Sequence, residues 1–97
     1  MVPAEVVASR DPAILVVEDE VLIRISVSDF LRDEGFSVIE AGNVREALSV
    51  LRTHADVALV LTDINMSGAM EGLELIRKIR QSHPTIKVIA EIGRAHV

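Results

Sequence analysis

Two runs of apolar residues in this sequence end on acid. Ile14-Leu15-Val16-Val17 leads into Glu18-Asp19-Glu20, and Val57-Ala58-Leu59-Val60-Leu61-Thr62 leads into Asp63. Runs of this length and aliphatic content predict strands buried on both faces, as in a parallel sheet. Open α/β sheets place their chemistry at the carboxyl ends of such strands, where the chain ends fan apart and leave a crevice. If the two strands are parallel neighbours, Glu18, Asp19 and Asp63 converge on one rim. Three carboxylates at close range repel, so at neutral pH the set requires a bound cation or raised pKa values. Oxygen ligands of this kind suit Mg²⁺ with retained waters. A carboxylate beside that ion can attack a phosphoryl group and form an aspartyl phosphate. Asp63 alone would read as a cap or loop acid; the second acidic strand end is what gives it weight. Asn65 offers a backbone carbonyl to the same ion, although as an isolated residue it reads as part of an ordinary turn. Glu20 reads as a solvated acid at a helix start, where the macrodipole favours it.

The elements that would position these groups alternate in type. The first strand is Ala13 to Val17 or Glu18. From Val21 to Glu34 a helix is expected, with Ile23, Val27, Phe30 and Leu31 on its inward face and Gly35 closing it. Phe36 to Ala41 is a second strand. Asn43 with Glu46 forms a capping-box-like start to a second helix, whose inward residues are Val44, Ala47, Leu48 and Leu51. After the central strand, residues 65–72 read as a loop, with Met66 and Met70 packing beneath it. Leu73 to Gln81 reads as a helix with Leu75, Ile76 and Ile79 inward, and Ile86 to Ala90 as a fourth strand. The order β-α-β-α-β-α-β with short connections predicts a mostly parallel sheet with helices on both faces. Residues 1–12 read as a flexible arm and 13–90 as a single domain.

Composition removes several function classes. The 97 residues carry a net charge of -5, which disfavours a phosphate-binding surface for nucleic acid. With two Phe and no Trp or Tyr, the core must be aliphatic, and few rings are present to stack on bases. The absence of Cys excludes disulfides and thiolate chemistry. No run reaches the ~18 apolar residues of a membrane span, and the first ten residues make a poor signal peptide. A cytoplasmic protein without a membrane or nucleic-acid partner is expected. Neither GxGxxG nor GxxxxGK[ST] occurs, which removes dinucleotide and P-loop sites.

Val16-Val17-Glu18-Asp19-Glu20, Leu61-Thr62-Asp63-Ile64-Asn65-Met66 and Met70-Glu71-Gly72-Leu73-Glu74-Leu75 together resemble the receiver domain of two-component response regulators, over about Ala13 to Ala90. The resemblance implies a flavodoxin-like doubly wound parallel sheet, five-stranded when complete, in the order 2-1-3-4-5. It implies that Asp63 is the phosphoacceptor, and that Glu18 and Asp19 are the acidic pair. These three, with the Asn65 backbone carbonyl, would hold Mg²⁺. It also implies a phosphoryl donor in a phosphohistidine of a sensor histidine kinase or phosphotransfer protein, and a signalling module rather than an enzyme.

Departures from the family pattern carry expectations of their own. Ser67 stands where the family usually has proline, and the Gly68-Ala69 stretch is one residue longer than the commonest loop. After Val88-Ile89-Ala90 the pattern calls for Ser or Thr, and then a helix, a lysine-bearing strand and a last helix. Here Glu91 takes the hydroxyl position, and residues 91–97 match the translation of a common sequencing-library adapter. That segment is expected to be a non-native tail on an incomplete fold lacking the final α-β-α. Impaired phosphorylation, an open edge on the fourth strand and a bared apolar side would follow. Two other readings remain at this level. One is a Mg²⁺-dependent phosphoryl-transfer enzyme on a related sheet, such as a haloacid-type phosphatase or a Toprim-like nuclease. The other is a non-phosphorylated interaction module. The Asp-x-Asp pairs that those enzymes require are absent, since the acids here run Glu18-Asp19-Glu20 and Asp63-Ile64-Asn65.

Overall fold

The computed structural model describes residues 12–63 and 69–91, with side chains from residue 72 onward in the second stretch. Among the described residues four strands, β1 (Ala13–Val17), β2 (Ser37–Ala41), β3 (Val57–Asp63) and β4 (Lys87–Glu91), alternate with three helices, α1 (Val21–Asp33), α2 (Val44–Thr53) and α3 (Ala69–Ser82). All strand pairs are parallel, in the order β2-β1-β3-β4. This is the expected doubly wound sheet. The reading of residues 1–12 as an arm falls, except for Pro12, outside the described residues, as do Asn65 and the tail beyond Glu91. So does the packing expected of Met66 and Met70.

β1 is central, and all five of its residues are buried. Successive side chains of a strand point to opposite faces, so Leu15 and Val17 meet a different layer from Ile14 and Val16. The first pair joins Ala41, Val57, Val60, Ala47 and Leu51 of α2, and Leu75 and Ile79 of α3, in one aliphatic core. The opposite face carries α1, which packs on β1 and β2.

β3 follows the sheet with one irregularity. Ala13 pairs with Val57 but Ile14 with Leu59, so Ala58 is an extra residue taken up at a bulge. The bulge lets both Val57 and Val60 reach the core. It is also one reason why β3 is not buried on both faces, as its sequence predicted. Ala58 is exposed, and Leu59 and Leu61, on the α1 side, are half-buried, because α1 covers β1 and β2 instead.

Local signals explain the helix ends. The Asn43 side chain accepts from the Glu46 N–H (2.8 Å), and Glu46 Oε1 accepts from the Gly42 N–H (2.7 Å), so two otherwise orphaned donors are satisfied at the start of α2. α1 stops in a Schellman arrangement. The Phe36 N–H returns to Leu31 O (3.0 Å) and the Gly35 N–H to Arg32 O (2.9 Å). Gly35 adopts φ 99, a conformation that side-chain-bearing residues rarely take.

Two further sequence expectations require correction. α3 begins at Ala69, not Leu73, so Gly72 is a buried helical residue rather than a loop glycine. A glycine inside a helical pattern weakens the local signal by about 1 kcal/mol, and tertiary packing of Leu75 and Ile79 overrides it. The inward face of α1 is also rotated. Phe30 is 63% exposed and Ser28 is 0% exposed, with Arg24, Val27 and Leu31 half-buried around it. The apolar stripe of α1 is wide enough to permit either face. The small Ser28 allows close approach to the sheet, and Arg24 finds polar partners there.

Candidate functional site

The carboxyl ends of β1 and β3 are adjacent. Val17 pairs with Thr62, so Glu18, the next residue, arrives level with Asp63 and on the same face of the sheet. Asp63 in turn pairs with Glu91 at the end of β4. Both Glu18 and Asp63 are 6% exposed, whereas Asp19 is exposed. A cavity of ≈ 30 Å³ lies between these ends, lined by Val17, Glu18, Ile23, Thr62, Asp63 and Glu91 among others. That volume accommodates a water or a small ion and is far below the ~300 Å³ of an organic-ligand pocket.

The electrostatics follow from this crowding. The Glu18 carboxyl is held above the usual carboxylate range, first by burial and then by the negative charges of Asp63 and Asp19. A hydrogen bond between the Glu18 and Asp19 side chains acts in the same direction. The Glu20 N–H, donating to Glu18 Oε2 at 3.0 Å, opposes the shift. Glu20 is itself the exposed N-cap residue of α1, as expected of a solvated acid. Glu18 thus carries the combined effect of burial and of two neighbouring acids.

Oxygen donors of this kind suit a hard cation in chemistry and charge, and a cation would offset the part of the Glu18 shift that comes from Asp63 and Asp19. Among the described residues, no group of three His, Cys, Asp or Glu side chains already has the arrangement of a metal cage. Asn65 lies outside the described residues.

Sequence reasoning missed one residue here. Arg24 sits one turn into α1, and its Nη1 donates to the backbone carbonyl of Glu18 at 2.8 Å. Its Nε bonds Glu40 Oε1 of β2 at 3.3 Å. The available signal was an arginine interrupting an apolar helix five positions after the second acid, with a lone acid, Glu40, inside β2.

Among the described residues, no helix is long and apolar enough to cross a membrane. Comparison with solved structures finds the same architecture. A response regulator receiver domain protein (CheY-like) from Methanospirillum hungatei JF-1 aligns with TM-score 0.79 and 32% identity, covering 90% of this chain and 68% of that one. The response regulator protein TrrA from Thermotoga maritima, solved in complex with Mg(2+)-BeF, aligns with TM-score 0.74 and 35% identity over 81% of this chain and 67% of its own. In sequence, the chain is 35% identical over 88 residues to the sensor kinase CckA of Brucella abortus (strain 2308), a match spanning 90% of this chain and 9% of the kinase. It is 39% identical over 72 residues to the aerobic respiration control protein ArcA of Escherichia coli (strain K12), a match spanning 74% of this chain and 29% of ArcA. The chain therefore spans less than a third of either relative. The family model described as the response regulator receiver domain matches residues 14–94, which include both acidic strand ends. With that match, the parallel sheet and the paired acids of β1 and β3, the chain belongs to the response regulator receiver domains, which are signalling modules and not enzymes.

Proposed function

We propose that Asp63 accepts a phosphoryl group from a phosphohistidine of a sensor histidine kinase or phosphotransfer protein, with Glu18, Asp19, Asp63 and the Asn65 backbone carbonyl holding Mg²⁺. The observation that carries this reading is the placement of Asp63 at the end of β3, 6% exposed and level with Glu18. In the transfer, an Asp63 carboxylate oxygen bonds to phosphorus as the P–N bond to the donor imidazole breaks. The released imidazole nitrogen keeps the electron pair and takes up a proton. The bound cation would supply charge neutralisation on the transferred oxygens. Glu18 and Asp19 present the negative charge that attracts the cation, and the buried setting of Asp63 limits water around the acyl phosphate.

We read the transfer as impaired in this chain, because Glu91 pairs with Asp63 at the position where the family carries a hydroxyl. A carboxylate there adds repulsion and offers the phosphoryl oxygens no O–H donor.

Incubation with a small acyl phosphate and Mg²⁺, followed by intact-mass spectrometry, tests the assignment. The expected result is addition of one phosphoryl group, abolished by chelation and by Asp63→Asn. Retention of the adduct in Asp63→Asn rejects Asp63 as the acceptor.

A further inference from the structure

We propose that Arg24 is a positioning residue for phosphoryl acceptance: it clamps the backbone carbonyl of Glu18 so that the acidic loop after β1 faces Asp63. The proposal rests on the reading of Asp63 as acceptor, and it identifies what orients the acids around it.

The Glu18 backbone is held from two sides. Its N–H donates to Ala41 O of β2 at 3.0 Å, and its carbonyl accepts from Arg24 Nη1 at 2.8 Å. Glu18 is the first residue beyond β1, and its N–H carries the last backbone bond to β2. A fixed amide and a fixed carbonyl leave its backbone dihedrals little freedom, which in turn sets the direction of the Glu18 side chain and the position of Asp19.

Arg24 is itself anchored. Its side chain is 20% exposed, and its Nε bonds Glu40 Oε1, while the other Glu40 oxygen accepts from Arg32 Nη1 at 3.1 Å. The guanidinium thus spans a β2 side chain and a β1–α1 loop carbonyl, a two-point bridge that a lysine ammonium on its flexible stem does not reproduce. The backbone at Gly42 leaves room for it, since a Cβ added there would lie 3.0 Å from Arg24 Nη1. The β2–α2 turn and the acidic loop therefore meet at one guanidinium.

The test compares the full chain with Arg24→Lys, Arg24→Gln and Gly42→Ala, and uses Arg32→Gln as a control that also loses a Glu40 contact but lies away from the acids. Arg24→Lys keeps the charge and loses the bridge; Gly42→Ala keeps Arg24 and crowds its guanidinium. Folding is followed by far-UV circular dichroism. Two further readouts are the Mg²⁺ concentration that gives half-maximal phosphorylation and amide hydrogen exchange at Glu18, Asp19 and Glu20.

The expected outcome is that folded Arg24→Lys and Arg24→Gln need about tenfold more Mg²⁺, in the range seen when an outer-shell partner is lost. Exchange should accelerate at Glu18 to Glu20 while the β1 amides remain protected. Gly42→Ala should shift both readouts in the same direction, and Arg32→Gln neither. Unchanged exchange at Glu18 to Glu20 in folded Arg24→Gln overturns the proposal, as does full retention of Mg²⁺ dependence in Arg24→Lys. If the parent chain takes up no phosphoryl group, the reading of Asp63 fails separately, and the exchange measurement still decides whether Arg24 holds the loop.

Discussion

Glu18 carries the clearest energetic signature of the site. Burial and the charges of Asp63 and Asp19 raise its carboxyl from the ordinary glutamate value, so folding penalises its ionised form relative to its protonated one. Its contribution to stability is present below the pKa of the unfolded chain and is lost as pH rises through the folded value. Glu18→Gln cannot ionise, yet it keeps an oxygen to accept the Glu20 N–H. At neutral pH this variant should melt at a higher temperature than the parent without Mg²⁺, and the gap should close as pH falls below the ordinary glutamate range. Added Mg²⁺ should raise the melting temperature of the parent and not that of Glu18→Gln, since only a ligand bound to the folded state stabilises it. Circular dichroism melts across pH, with and without Mg²⁺, check both signs; the chain has no Trp or Tyr to report by fluorescence. A variant less stable than the parent at neutral pH would contradict the like-charge account.

At the scale of elements, caps and core residues differ in what they hold. Asn43 is exposed, and its side chain satisfies a single N–H of α2, so Asn43→Ala should cost about 1 kcal/mol. Leu75 is 0% exposed in the core it shares with α2 and the strands, so Leu75→Ala should cost roughly 2–5 kcal/mol, spread by how far the cavity collapses. Urea denaturation of the two variants, with unchanged slopes, checks the ordering; equal losses would place the α3 contact outside the core. Much of this level was legible beforehand. The Asn43–Glu46 cap, the Gly35 stop and the inward set Ala47, Leu51, Leu75 and Ile79 all depend on spacings within one helix. The start of α3 was not legible, because Gly72 resembles a loop residue locally and is helical only through packing that lies farther along the chain.

Across the whole molecule, the two faces of the sheet are unequally covered. α2 and α3 close one face, whereas α1 lies over β1 and β2 on the other, leaving Leu22 78%, Phe30 63% and Ile89 51% exposed. Among the described residues, β4 is also an edge of the sheet. Apolar patches and open edges promote association. The chain should therefore self-associate as its concentration rises, and Phe30→Ser with Ile89→Thr should reduce that association without lowering the melting temperature. Sedimentation velocity over a concentration series is the check, and a monomer at every concentration would contradict it.

The amino-acid sequence alone determined the alternation of strands and helices, the aliphatic core and the family signature, since each depends on neighbours a few positions apart. Tertiary structure decided the rest. Whether Glu18 and Asp63 stand level depends on the register between strands some forty positions apart, including the bulge at Ala58. A helix stripe defines a side only to within a broad arc, and the edge of α1 that turned inward is the one that brings Arg24 to Glu40 of β2 and to the Glu18 carbonyl, groups that lie outside the stripe itself.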